Sequence, residues 1–208
     1  ALFSRDSETY ENYKDLFKYS YKGICCAFYI PEYFKAWKLD VEPYVVFNFE
    51  QYREPIFVKA KEGFEFAGNT WGGGGRLVSI SKKQLIHNEG SDHAFGSLNI
   101  IRTKNTCFEP RQKKYYGKNI YLSDVPEDYL NIYANAEAIF SDRVHTCVGA
   151  LSQGIPTMFM GNTPRANLFK RVMGEKYEEI CLKPTYIAVS DLDQERECLR
   201  IKLGEVLV

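Results

Sequence analysis

Apolar and polar positions change period several times along the first fifty residues. Asp6 is a good N-cap, and Tyr13, Leu16 and Phe17 recur at helical spacing behind it, predicting a helix to about Tyr19. Gly23 closes that unit, and Ile24-Cys25-Cys26-Ala27-Phe28 has the length and composition of a short buried strand ahead of Pro31. Residues 31–42 mix aromatic and polar positions, as a linker or crossover does, and include Tyr33, Phe34 and Trp37. Tyr44-Val45-Val46-Phe47-Asn48-Phe49 is then almost continuously apolar, the mark of a strand covered on both faces. Between 51 and 118 the pattern weakens. Leu77–Ile80 and Leu98–Ile101 suggest further strands, and a polar loop between them holds His87 and His93.

From Asn119 onward strand and helix patterns alternate with short connections. Asn119–Leu122 predicts a strand. The helix that follows starts at Ser123–Asp128, with Pro126 in its first turn and acids at the positive end of its dipole. Ala138-Ile139-Phe140 predicts a strand, Val144–Gln153 a helix stopped by Gly154, and Ile155–Met160 another strand. Asn162-Thr163-Pro164 caps a helix ending near Gly174, Thr185–Val189 suggests a last strand, and a terminal helix follows Asp191. This alternation predicts an α/β fold with a Rossmann-like parallel sheet flanked by helices.

Composition narrows the function classes. Lys plus Arg equals Asp plus Glu at 27 each, so no overall field favours nucleic acid or an anionic membrane. The densest basic run, Arg111-Gln112-Lys113-Lys114, suits a solvated turn. No apolar run approaches the roughly 18 residues that span a bilayer. The chain opens Ala1-Leu2-Phe3-Ser4-Arg5-Asp6, with neither an initiator Met nor a signal-peptide pattern, and is expected to be the later part of a longer protein. Six cysteines without a C-x-x-C, and no N-x-S/T sequon, predict a reduced, cytoplasmic protein whose thiols are small core residues. Gly72-Gly73-Gly74-Gly75 lacks the Lys-Ser/Thr of a phosphate-binding P-loop.

Candidate chemistry gathers after the 138–140 strand. In open α/β sheets ligands bind beyond the carboxyl ends of strands, where helix N-termini point. Ser141-Asp142-Arg143-Val144-His145-Thr146 places a guanidinium and an imidazole two residues apart at such a helix start. Arg offers a planar fork to carboxylate or phosphate, and His moves a proton near neutral pH. The residues alone equally allow an Arg143 that pairs with a neighbour and a His145 satisfied within the core. His87, His93 and His145 lack the spacing of metal ligands, and no metal or cofactor is expected.

The run from Pro126 to Gly174 resembles the polysaccharide pyruvyl transferase family. The shared elements are Ser141-Asp142-Arg143-Val144-His145, the small-residue helix Ala150-Leu151-Ser152-Gln153, then Gly154-Ile155-Pro156, and Phe169–Gly174. Ser4-Arg5-Asp6-Ser7-Glu8 resembles the Arg-Asp helix start that closes the family's N-terminal domain, whereas 50–118 carries no match. Two departures stand out. Ala27-Phe28-Tyr29-Ile30-Pro31 replaces an Asp-Pro, and Arg165 stands where relatives tend to have Lys.

The resemblance implies one half of a GT-B-like two-domain enzyme. Residues 1–42 would end an N-terminal domain and cross over, 43–190 would form the C-terminal Rossmann-like domain, and 191–208 a terminal helix. It also implies transfer of a pyruvyl group from phosphoenolpyruvate to sugar hydroxyls during cell-surface polysaccharide synthesis. His145 and Arg143 would be catalytic, and Ser141, Val144, Thr146 and Arg165 would bind substrate. The acceptor would be a saccharide or lipid-linked oligosaccharide, met in the cytoplasm or at the inner membrane face without a transmembrane segment or nucleic acid. Two rivals remain. A nucleotide-sugar glycosyltransferase of similar architecture would place an acid for the donor ribose soon after Gly154-Ile155-Pro156, where this chain has Asn162, Thr163 and Arg165. A non-catalytic module of a polysaccharide assembly complex has no use for both Arg143 and His145.

Overall fold

The structure, a computed structural model, describes residues 1–52, 54–59, 64–69, 85–87, 94–95, 97–104 and 119–207. Leu77–Ile80, the glycine run, His93 and the 111–114 basic run lie outside the described residues.

At the centre is β3 (Tyr44–Asn48), buried along its whole length as its apolar run predicts. β8 (Leu98–Lys104) pairs parallel with one edge of β3 and β10 (Ala138–Ser141) with the other, and β11 (Thr157–Phe159) pairs parallel with β10. β9 (Ile120–Leu122) runs parallel along the end of β8, while β7 (Ala94–Phe95) lies antiparallel along its start. The chain is thus α/β with a Rossmann-like parallel sheet, order β11-β10-β3-β8.

Side chains of β3 alternate between two cores. Tyr44 and Val46 join Ile139 and the α3 (Pro126–Ala134) residues Tyr129, Ile132 and Tyr133. Val45 and Phe47 face the other way, onto Ile100, Phe140, Met158, Phe95 and Phe57. Phe57 belongs to β4 (Pro55–Lys59), the middle strand of a small antiparallel sheet with β5 (Phe64–Asn69) and β6 (Leu85–His87). Its ring centroid stands 5.0 Å from Phe140 and 5.2 Å from Phe95, spacings that favour edge-on aromatic packing. The 51–76 stretch gave no such sheet in sequence, and His87, expected in a polar loop, ends β6 opposite Phe57.

The ends of the chain depart further from the sequence pattern. Asp6 caps α1 (Ser7–Tyr13) as expected, accepting from the Thr9 N–H at 2.8 Å. α1 stops at Tyr13, a 3-10 turn carries the helix on over Lys14–Leu16, and β1 (Leu2–Ser4) pairs parallel with β2 (Ser20–Lys22) on either side of it. Ile24–Phe28 is not a strand. A 3-10 turn spans Cys26–Tyr29 and runs into α2 (Ile30–Tyr33), because the buried residues Ile24, Cys25 and Phe28 follow a helical period with Cys26 exposed. The expected strand at 185–189 shrinks to a single bridge between Thr157 and Thr185.

Ile24, Cys25 and Phe28 share one core with α4 (Val144–Ser152), α5 (Leu168–Met173) and α6 (Val189–Leu207). The division drawn at residue 42 therefore marks the approach to β3, and the core continues across it. Buried Arg196 of α6 fastens this layer, donating to the Phe28 carbonyl at 2.8 Å and pairing with Asp193 at 2.7 Å. Residues 36–40 run beside α3, where the Asn131 and Asn135 side chains each accept a backbone N–H, from Trp37 and Leu39, at 2.9 Å.

Candidate functional site

β10 ends at Ser141, and three residues later α4 begins with Arg143 as its N-cap residue in extended conformation. The Arg143 side chain does not cap this end of α4, and the first-turn N–H groups of any helix lack intrahelical acceptors. Two buried polar clusters hold the turn in place. Asn48, closing the apolar run of β3, accepts from the hydroxyls of Ser141 (3.1 Å) and Thr146 (3.0 Å) and donates to the Thr103 carbonyl at 2.8 Å. The Ser141 oxygen also accepts the Arg143 N–H at 2.9 Å. Asp142 forms the second cluster. Its carboxylate accepts the backbone N–H groups of Glu50 (3.1 Å), Gln51 (2.7 Å) and Tyr52 (2.8 Å), pinning the loop after β3 against the turn.

Between that loop, the start of α4 and the loop after β11 lies a hollow of about 210 Å³, lined by Gln51, Asp142, Arg143, Val144, His145, Thr146, Thr163 and Arg165. Thr163 caps a 3-10 turn over Pro164–Asn167, setting Arg165 on its rim. The turn and the β11 loop approach closely, since a Cβ on Gly161 would stand 2.6 Å from the Asp142 carbonyl oxygen.

The charges acting on His145 are cationic. His145 is held below the usual imidazole range, first by desolvation and then by the positive charges of Arg5, Arg165 and Arg143. Those charges converge from three separated segments: the end of β1, the turn before α4 and the loop after β11. An imidazole among guanidinium groups at a helix start has the chemistry to hold a small anion and to move a proton. Among the described residues, no three His, Cys, Asp or Glu side chains are arranged to hold a metal ion.

Of the predicted site residues, Arg143, Val144, His145, Thr146 and Arg165 all reach the hollow. Ser141 does not. It is fully buried beneath the hollow, and its hydroxyl belongs to the Asn48 cluster. Thr146 lines the wall, but its hydroxyl is likewise turned to Asn48. The sequence reading missed Asp142, although it stands inside the quoted motif, and it missed Asn48 and Gln51. Arg5 was quoted for its resemblance and not as a site residue.

The fold is a Rossmann-like domain with a hollow at the carboxyl ends of its strands, lined by Arg143, His145 and Arg165 among others. The sequence profile of the polysaccharide pyruvyl transferase family matches residues 1–164, and the chain belongs to that family. The match runs from the N-terminus across residues 50–118 and stops before Arg165 and Phe169–Gly174. The match thus takes in Ser4–Glu8 and Ser141–Pro156, where the resemblance was read, and covers the N-terminal four-fifths of the chain and not its C-terminal end. No curated protein matches the chain. A crystal structure described as "putative UDP-N-acetylglucosamine 2-epimerase from Listeria monocytogenes" aligns at 13% identity and a TM-score of 0.27, over 46% of this chain and 34% of that one. This chain therefore spans about a third of that structure, and the likeness is too slight to bear on function. The family is one of transferases acting on saccharides. No helix among the described residues is long and apolar enough to cross a membrane.

Proposed function

We propose that the chain carries the donor site of an enzyme that moves the pyruvyl group of phosphoenolpyruvate onto two hydroxyls of a saccharide, as a ketal. The observation that supports this most is the convergence of Arg5, Arg143 and Arg165 on one near-neutral His145 at the start of α4. Phosphoenolpyruvate is a small anion bearing a carboxylate and a phosphate, and guanidinium forks complement both groups. The first-turn N–H groups of α4 supply further donors, which is the role left to Val144.

In the proposed reaction one sugar hydroxyl oxygen bonds to the enol carbon, and the methylene carbon gains a proton to become methyl. A second hydroxyl oxygen then attacks the same carbon, the C–O bond to phosphate breaks, and inorganic phosphate leaves. The two hydroxyl protons thus end on the methyl group and on the departing phosphate. His145, kept mostly unprotonated by its surroundings, takes a hydroxyl proton and passes it on. Arg143 and Arg165 hold the negative charge throughout. The acceptor is a saccharide, free or lipid-linked, in cell-surface polysaccharide assembly. The reaction is placed in the cytoplasm or at the inner membrane face, where the donor is made, and the architecture is proposed to be GT-B-like with a second domain facing this hollow.

Ligand-induced thermal stabilisation tests the donor. At a hundred times its dissociation constant a ligand adds about 2.7 kcal/mol. For a chain of this size that raises Tm by roughly 5–11 °C. Phosphoenolpyruvate is expected to shift the wild type and not Arg143→Ala. A shift with UDP or a UDP-sugar in its place would overturn the reading in favour of a glycosyltransferase.

A further inference from the structure

The loop after β3 and the turn before α4 hold each other from both sides. Asp142 accepts the N–H groups of the loop, and the loop returns a carboxylate: Glu50 Oε2 lies 3.3 Å from an Nη of Arg143. The Glu50 side chain is 6% exposed against 36% for Arg143, so the acid is the inner partner and the guanidinium the outer one.

Behind Glu50 the charges continue inward. Lys104, at the end of β8, donates to the Phe49 carbonyl and stands within the fields of Glu54, Glu50 and Asp142. Glu54 in turn receives the Arg102 fork at 2.6 and 3.0 Å. Carboxylates and cations thus alternate across the ends of β8, β3 and β10, with Arg143 at the edge that meets the hollow. Glu50 offsets the formal charge of Arg143. What Arg143 then offers an incoming anion is chiefly a fixed orientation, with one part of its fork held inward and the rest directed outward.

We propose that Glu50 is the positioning residue for Arg143, and that by fixing the fork it makes the hollow prefer an anion with carboxylate beside phosphate over plain phosphate. This rests on the donor reading above and names the residue that makes that site selective. Were Glu50 only a screen, its removal would strengthen the binding of every anion alike.

The experiment uses the full 208-residue chain as wild type, Glu50→Gln and Glu50→Asp. Phosphoenolpyruvate and inorganic phosphate are titrated by calorimetry, and the guanidinium ¹⁵N signals of Arg143 are followed by NMR, assigned with Arg143→Lys. In Glu50→Gln the affinity for phosphoenolpyruvate should fall about tenfold, that for phosphate should hold or rise, and the resolved Arg143 signals should average. Glu50→Asp should recover part of the selectivity. Parallel gains for both anions would reduce Glu50 to a charge screen, and parallel losses with a lowered Tm to a structural part. Unchanged binding and spectra would remove its role altogether. If the wild type ignores phosphoenolpyruvate, the donor reading and the selectivity both fail. The Arg143 spectrum of Glu50→Gln then decides the anchoring by itself.

Discussion

Asp142 is the residue whose loss should reach furthest, because one side chain closes three backbone donors on a loop 90 residues earlier. It is 2% exposed, and its Oδ2 accepts Gln51 and Tyr52 at 2.7 and 2.8 Å, with Glu50 shared between both oxygens at 3.1 and 3.2 Å. A hydrogen bond to a charged group contributes about 1.5–3 kcal/mol, and a buried donor left unmade costs about 1–3 kcal/mol. Gln51 is exposed, so water can replace its acceptor, and the Glu50 bond is long and divided. Asp142→Ala should therefore cost about 3–4 kcal/mol, a fall in Tm of roughly 6–16 °C for a chain of this size. Asp142→Asn keeps one oxygen where Oδ2 stands but loses the charge, which halves the strength of such bonds. It should cost about 1.5–2 kcal/mol. Calorimetric melting of the three proteins measures both steps. Because the loop also carries Glu50 and Gln51, anion affinity should fall in the order wild type, Asn, Ala. If Asn and Ala were equally destabilised, charge alone would matter and the three-donor cradle would not. If neither moved Tm by more than a degree, the loop would be held by something else.

Three further expectations can be checked separately. The folded pKa of His145 lies below its ordinary value of 6.5, so protonation opposes folding: His145 adds stability above that value and loses it as pH falls toward the folded pKa. A bound anion pulls that pKa back up. Donor affinity in wild type relative to His145→Gln should therefore rise as pH drops below 6.5, a comparison that cancels the donor phosphate's own ionisation near pH 6; a ratio independent of pH would refute the proton coupling. Gly161→Ala sets a methyl 2.6 Å from the Asp142 carbonyl oxygen and the Phe159 ring, which should lower Tm and weaken anion binding more than Gly204→Ala, where nothing lies within 4 Å. Arg196→Met leaves the Phe28 carbonyl without its donor and should cost about 2–4 kcal/mol in urea unfolding, with anion affinity in the folded protein unchanged.

Where sequence was informative, periodicity and local chemistry agreed. Tyr44–Asn48 had one reading because a short apolar run bounded by polar residues suits a strand buried on both faces, and β10, α4 and β11 followed at the short spacings of a parallel sheet. Ile24–Phe28 misled because five apolar residues in a row fit either period, and only packing against α4 and α6 selects the turn that buries 24, 25 and 28. Leu16 and Phe17 misled in the opposite way. Their helical spacing with Tyr13 promised a buried face, yet Leu16 is 73% exposed at the end of a 3-10 turn and Phe17 is already extended. The β4–β5–β6 sheet could not be seen at all. Its strands pair with one another, and Phe57 of β4 packs on the Phe47 face of β3, and such pairings leave little trace in a local window.

The same division explains the site. Arg143 and His145 were legible because their chemistry is local: two side chains two residues apart at a predicted helix start need no knowledge of the rest of the fold. Asp142, Asn48 and Arg5 act on partners 90 or more residues away, and no spacing rule reaches that far. Asp142 was hidden by its own position, since an acid between Ser141 and Arg143 looks like an exposed neighbour of the motif until the loop after β3 is seen lying on it. Ser141 was overread for the converse reason: a hydroxyl beside the motif suggests contact with substrate, but an alternating strand must turn some of its motif inward, and Ser141 is turned toward Asn48. The candidate site thus consists of a short legible stretch held in place by residues from β3 and the loop that follows it. Substitutions at Asn48 or Asp142 should consequently disturb anion binding through the placement of Arg143 and His145, without removing a single group that touches the anion.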